Sequence, residues 1–286
     1  MLDAATVTAA VAQALAEDAP WGDITCAALV PSTAIATAKL MGREAGVFAG
    51  SDPLLAAFGL TDADIDVDLL VRDGDRFETG TVLATVRGPA AGVLQAERIA
   101  LNFSQRMSGI ATATAGYVDA VAGTGVRIAD TRKTTPGLRA FERAAVRAGG
   151  GHNHRYSLSD AVMVKDNHLA VLLESGIDLT DAIAGIRDRI PHTTSVEVEV
   201  DRIDLIEPVL AGGVDVIMLD NFTIEQLRAG VQIVAGRAVV EASGNVRMDT
   251  VAQIAATGVD VISIGALTHS VRSLDLGLDV DVTAGP

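Results

Sequence analysis

The chain has 286 residues, 49% hydrophobic and only 3% aromatic, with 22 Lys+Arg against 37 Asp+Glu for a formal net charge of −15. That length buries a substantial core in one large domain or two, and an Ala/Val/Ile/Leu core suits α/β architecture. The acidic balance argues against nucleic acid and anionic membrane surfaces as partners, and the lone Cys26 excludes an internal disulfide or a cysteine metal cluster.

Residues 3–17 have helical periodicity, ended by Asp18, Pro20 and Gly22. Three β-like segments follow near 34–41, 64–71 and 81–87, with Asp73-Gly74-Asp75 as a turn before the last. Two helical segments, 92–107 and 110–122, are expected to meet at Ser108-Gly109, and the domain boundary is placed there. Beyond it, short apolar runs alternate with helical stretches: 126–129, 161–164, 195–200, 214–219, 238–240 and 259–264. Such alternation reads as parallel βα units. Residues 271–286 alternate Leu or Val with Asp and are expected to return as an edge strand on the first domain. No apolar run approaches the ~20 residues that span a bilayer. Met1-Leu2-Asp3-Ala4 carries no basic leader, so a cytoplasmic location without membrane attachment is expected.

The polar residues at the ends of the apolar runs point to the architecture. They are Asp130/Arg132/Lys133, Lys165/Asp166, Glu197/Glu199, Asp220, Glu241/Ser243 and Ser263/Gly265. Chemistry at the carboxyl ends of successive parallel strands is what a β/α barrel presents on its catalytic face. An open doubly wound sheet is the alternative, gathering such residues at one switch point. Six runs are fewer than eight, so the fold expected is an N-terminal α/β (α+β) domain, residues 1–108, followed by an irregular, incomplete β/α barrel, residues 109–270.

The acidic chain reverses its charge over residues 127–165, where eight Lys or Arg face three Asp or Glu. Arg139, Arg143 and Arg147, at i, i+4 spacing, fit a solvated helix face. Arg132, Lys133 and Lys165 do not, because each follows an apolar run; with His154 and Arg155 behind Gly149-Gly150-Gly151 they read as an anion pocket, the glycines suiting a lid. Glu199 and Asp220 end adjacent strands, and an oxygen-only pair suits Mg²⁺ that keeps its waters and shares substrate phosphates, or ribose hydroxyls instead. Ser243-Gly244-Asn245 and Gly265-Ala266 sit where barrels often bind phosphate, and His269 lies one turn further on.

Several motifs then occur in order: Asp130-Thr131-Arg132-Lys133-Thr134, Gly151-His152-Asn153-His154-Arg155, Val164-Lys165-Asp166-Asn167-His168, Val196 to Val200, Met218-Leu219-Asp220-Asn221-Phe222, Ala242-Ser243-Gly244-Asn245 and Gly265 to Ser270. In this the chain resembles the quinolinate phosphoribosyltransferases, from Trp21-Gly22-Asp23 to Ser270. The resemblance implies Mg²⁺-dependent transfer of phosphoribosyl from phosphoribosyl pyrophosphate to quinolinate, with decarboxylation. It implies a homodimer with shared active sites, to which the neighbour contributes Arg98. It assigns Arg132, Lys133, His154, Arg155 and Lys165 to the site, most of them on the two quinolinate carboxylates. Glu199 and Asp220 would serve the metal-bound phosphoribosyl pyrophosphate, and the loops at Ser243 and Gly265 its phosphates; Lys133, Glu199 and Asp220 would be the catalytic residues. Three alternatives stay open: a paralogue with another acceptor, a barrel aldolase using Lys165 as a Schiff-base amine, and a non-catalytic phosphoribosyl sensor.

Overall fold

The computed structural model describes residues 2–283, apart from the Leu173 side chain. The chain divides into two compact units, residues 1–115, 134–150 and 267–286 in the first and 116–133 with 151–266 in the second.

The first unit begins with α1 (Ala4–Asp18), capped by Asp3, and α2 (Ile24–Leu29), capped by Asp23. Then come β1 (Ile35–Gly42), β2 (Gly46–Val47), α3 (Ser51–Thr61), β3 (Asp66–Leu69), β4 (Arg76–Phe77) and β5 (Val82–Pro89). Helix α4 (Ala90–Ala120) follows without interruption. The two helices expected on either side of Ser108-Gly109 are therefore one. The physical reason is packing: Ser108 Oγ donates to Ala49 O at 3.1 Å and accepts from Ala49 N at 3.0 Å. A Cβ on Gly109 would stand 2.2 Å from Arg272 O. The pair marks a close approach, which costs a helix about 1 kcal/mol for the glycine without ending it.

After β6 (Arg127–Ala129) the chain re-enters the first unit through α5 (Arg139–Ala148), whose Phe141 ring lies 5.1 Å from that of Phe103 on α4. Its Arg139, Arg143 and Arg147 form a stripe apart from the buried Phe141, Ala145 and Val146. Of the three glycines behind α5, the first is fixed by packing rather than left free for the expected lid. Gly149 is buried, and a Cβ there would come within 2.3 Å of Ala111 O, so the close contact with α4 requires glycine.

The second unit continues with β7 (Val162–Val164), α6 (Asp166–Glu174), α7 (Leu179–Ala184), β8 (Val196–Val200), α8 (Ile206–Ala211), β9 (Val216–Asp220), α9 (Ile224–Val234), β10 (Val239–Ser243), α10 (Val251–Ala255) and β11 (Val261–Ser263). Back in the first unit, α11 (Ala266–His269) starts at the join and leads to β12 (Leu276–Thr283), which pairs antiparallel with β1 as an edge strand. The first sheet has the order β12-β1-β5-β3; residues 284–286 of the expected tail lie outside the described residues.

The second unit's sheet has six parallel strands in the order β6-β11-β10-β9-β8-β7, with β6 and β7 at its edges. This is an incomplete barrel with Val- and Ile-rich strands, and polar residues interrupt them chiefly at inward positions such as Glu197, Glu199 and Glu241. At the start of β9 the Asp215 amide donates to Val196 O at 2.9 Å, and the Asp215 carboxylate accepts from Val196 N at 2.7 Å, which ties β9 to β8.

Candidate active site

Side chains two apart on a strand share a face. On β8 that rule aligns Glu197 and Glu199, on β9 Met218 and Asp220, and on β10 Glu241 and Ser243. The parallel register sets Glu199 and Glu241 opposite Met218, and Asp220 opposite Ser243. The interior is thus layered, as in closed barrels. The upper layer opens into a cavity of about 360 Å³ lined by Glu199, Asp220, Ser243 and Ser263. Around it stand Arg132, Lys133, His154, Arg155 and Lys165, so the expected cations do converge with both expected carboxylates.

Lys165 Nζ pairs with Glu199 Oε2 at 2.5 Å, so in this structure the amine is engaged by a carboxylate at the cavity wall. Arg132 Nε is buried with no hydrogen-bond partner among the described residues, although its guanidinium lines the cavity. An unpaired buried donor costs about 1–3 kcal/mol, more when charged. Burial, and next the nearby Arg132 charge, lower the pKa of Arg155. Two guanidiniums this close and partly dry create a place for an anion, which would relieve both penalties.

His154 Nε2 lies 3.1 Å from Glu197 Oε2 and 3.5 Å from Glu241 Oε1. Burial works against charge on this ring, but the contact with Glu197 and the nearby charge of Glu241 raise its pKa. The Arg155 amide opposes them, because it donates to Nδ1 at 2.7 Å and occupies the lone pair a second proton would need. That contact selects the tautomer with its proton on Nε2. Glu197 has its own pKa raised, by burial and by the neighbouring Glu241, against the pull of His154.

The turn after β9 locks onto the turn after β10. Asn221 (φ 58°) donates from Nδ2 to Asp220 Oδ2 at 2.6 Å, and its Oδ1 accepts from Asn245 Nδ2 at 3.1 Å. Gly244 has φ 92°, and a Cβ there would meet Asn221 Oδ1 at 2.2 Å, so only glycine fits the join. No helix starts directly behind Ser243, since α10 begins at Val251. Any anion-binding capacity in this loop therefore belongs to the turn itself, with its left-handed Gly244 and Asn245. Gly265 and Ala266 follow β11 in the second unit, while His269 belongs to the first, where its Nδ1 lies 2.6 Å from Ser270 Oγ. Arg98 is exposed on α4 of the first unit.

Thr131, Met163, Met218 and Ser263 line the cavity without having been singled out as site residues. Met163 and Met218 had a usable signal, each lying two residues before Lys165 or Asp220 on the same strand face. Ser263 Oγ is buried with no hydrogen-bond partner among the described residues.

Comparison with known proteins gives a consistent result. The family model "Quinolinate phosphoribosyl transferase, N-terminal domain" matches residues 23–108, and its C-terminal counterpart matches residues 110–279. A Mycobacterium leprae protein named nicotinate-nucleotide pyrophosphorylase [carboxylating] is 44% identical over 279 residues, covering 94% of this chain and 95% of the relative. A Bacillus subtilis relative, named as a probable enzyme of the same kind, is 39% identical over 93% of this chain and 91% of its own. The crystal structure of NadC from Streptococcus pyogenes superimposes with a TM-score of 0.93 at 40% identity, covering 99% of this chain and 98% of that one.

Proposed function

Since the chain belongs to the quinolinate phosphoribosyltransferase family, we propose that its barrel cavity is where the family's reaction takes place. The enzyme transfers the phosphoribosyl group of phosphoribosyl pyrophosphate to quinolinate, giving nicotinate mononucleotide, pyrophosphate and CO₂ on the way to NAD. The observation that carries the site assignment is the unpaired Arg132 Nε, set among Lys133, Arg155 and Lys165. A planar dianion with two carboxylates matches such a group, because a guanidinium grips a carboxylate with two parallel bonds.

In this reading Arg132, Arg155 and Lys165 hold the carboxylates of quinolinate and so aim the ring nitrogen at ribose C1. Lys133 and the loops at Ser243-Gly244-Asn245 and Gly265-Ala266 receive the phosphates. The nitrogen attacks C1 as the C1–O bond to pyrophosphate breaks, through a transition state with oxocarbenium character. Fixed cations stabilise the charge that grows on the departing oxygen. The N-glycosylated ring is a pyridinium. When the carboxylate beside nitrogen departs as CO₂, the electron pair of the broken C–C bond stays on that ring carbon, stabilised by the adjacent positive nitrogen, and takes a proton from solvent to give the product. Lys165 releases Glu199 as substrate arrives, moving its charge from one carboxylate to another.

Glu199 and Asp220 fit Mg²⁺: both are carboxylates on adjacent strands at the carboxyl end, and the pair offers oxygen donors alone. When bound, the ion would neutralise pyrophosphate charge. The assignment is checked by pyrophosphate and CO₂ release from the purified protein with quinolinate, phosphoribosyl pyrophosphate and Mg²⁺, with nicotinate as control acceptor. Release with quinolinate alone, lost on chelation and regained with Mg²⁺, is the expected result. Chelator-resistant release would remove the metal role from Glu199 and Asp220, and release with nicotinate would remove the need for a second carboxylate.

The homodimer with Arg98 supplied across the interface belongs to the same proposal, supported by the exposure of Arg98 on α4. Subunit mixing tests it. Arg98→Ala and Lys133→Ala should each be nearly inactive alone. Refolded as a one-to-one mixture, half the dimers carry one intact site of two, so roughly a quarter of wild-type activity should return. No recovery would place Arg98 in its own subunit's site.

A further inference from the structure

Two acids inside the barrel have no task in the reaction as described. Glu197 is 5% exposed and Glu241 3%. Glu197 Oε1 has no hydrogen-bond partner among the described residues, and Glu241 Oε1, which makes no hydrogen bond either, stands 3.5 Å from His154 Nε2 as a charge contact. Each lies two residues before a lining residue on its own strand, Glu197 before Glu199 and Glu241 before Ser243, and both line a second cavity toward the amino ends of the strands. Two buried carboxylates behind a pocket that must attract anions are costly twice over, in desolvation and in the sign of their field. Their contact with His154 explains their presence.

We propose that His154 is a positioning residue rather than a substrate ligand, and that Glu197 and Glu241 form the buried clamp that holds it. Both ring nitrogens are already engaged within the protein. Nε2 faces the clamp, and Nδ1 accepts the backbone amide of Arg155. The ring therefore transmits the position of β8 and β10 to the backbone of Arg155, whose guanidinium donates from Nη1 to Ala161 O at 3.0 Å.

The residues around His154 follow the same plan. His152 bridges to Ala129, the end of β6. The Asp130 carboxylate, fully buried, accepts from Asn153 Nδ2 at 2.6 Å and from His154 N at 2.7 Å. Four consecutive residues outside any helix are thus tied down one by one, and three buried acids do most of it. Arg155 gains a fixed location without a helix or strand beneath it, which a binding group held to fractions of an ångström needs.

The inference rests on the reading that Arg155 serves quinolinate, and the experiment separates the two. Turnover of quinolinate by the wild-type enzyme tests the reading. The clamp is tested by Glu197→Leu, Glu241→Leu and the conservative Glu197→Gln, in the full-length enzyme with Mg²⁺. Leucine removes the buried carboxylate at similar volume, so folding should survive, and the KM for phosphoribosyl pyrophosphate should stay within about twofold. The KM for quinolinate should rise about tenfold or more in both leucine variants, and Glu197→Gln, which still accepts from Nε2–H, should remain near wild type. His154→Ala should fall no further than Glu197→Leu, and the double variant should add nothing, because one chain of contacts is cut in either case. An unchanged quinolinate KM, parallel rises in both KM values, or an additive double variant would overturn the proposal.

A second measurement needs no turnover. In protein labelled with ¹⁵N-histidine, with the His154 signals assigned by their absence in His154→Ala, Nε2 should be protonated and Nδ1 an acceptor. Both shifts should stay in place when quinolinate is added. Movement of either nitrogen on quinolinate binding would make His154 a ligand and defeat the proposal.

Discussion

Replacing Arg132 with alanine is expected to lower kcat/KM for quinolinate by about a thousandfold, roughly 4 kcal/mol. The magnitude follows from its surroundings. Its Nε is buried without a partner, so the free enzyme has already met the desolvation cost and the substrate collects the full charge-assisted bond. Truncation also removes one of the two neighbouring guanidiniums and leaves a substrate carboxylate facing a partly dry pocket. Lysine at this position should recover only part of the loss, since an ammonium cannot supply the planar fork. Binding of phosphoribosyl pyrophosphate, measured by calorimetry, should change little. A kcat/KM within tenfold of wild type would move the acceptor site away from Arg132.

The second large effect is expected in stability and arises far from any substrate. Arg106 on α4 donates from Nη2 to Glu142 Oε1 at 2.8 Å, and Glu142 is 1% exposed. The same guanidinium reaches Thr268 O at 2.5 Å and Val271 O at 3.3 Å, while Glu142 also takes the Thr135 amide at 3.1 Å and its hydroxyl at 2.8 Å. One ion pair therefore ties α4, α5, the segment at Thr135 and the chain just before and after His269. Arg106→Ala leaves Glu142 buried and without its counter-ion, a loss of about 3–5 kcal/mol. The melting temperature of the first unit should drop by roughly 10 °C, read by circular dichroism or calorimetry. Arg106→Ala combined with Glu142→Gln should recover part of this, because the stranded charge is gone. A melting temperature within 2 °C of wild type, on the order of 1 kcal/mol or less, would show the pair to be a surface-like contact.

Much of this was readable from the chain because parallel strands buried on both faces leave Val- and Ile-rich runs, even where acids break them as in β8. All six strands of the second sheet fall on such runs, and Lys165, Glu199 and Asp220 fall where runs end. What could not be read depended on neighbours in space. Ser108-Gly109 has the composition of a helix end, yet its hydroxyl and its missing Cβ serve contacts with Ala49 and Arg272, residues distant in sequence. Glu241 looked like any polar residue at the end of a strand. Only the strand order, which fixes β10 two places from β8, brings it to His154 alongside Glu197. Arg106 left no trace in the pattern either, since a single arginine in a long amphipathic helix usually points to solvent. Gly149, read in the sequence as part of a lid, serves a contact with Ala111 for a related reason, because glycine permits close packing as readily as motion.

The pairing of β12 with β1 sets a schedule for the nascent chain. Ile35 faces Thr283 in that ladder, and Gly42 faces Leu276. During synthesis, then, a strand that leaves the ribosome early must wait for more than 230 further residues before its second neighbour exists. The six strands between them need only one another, so their sheet can close while β1 still has an open edge. The portion translated first is completed last, and until then one side of β1 is a template for any stray strand. Chaperone dependence, and misfolding when translation is interrupted near residue 270, should concentrate on that exposed edge.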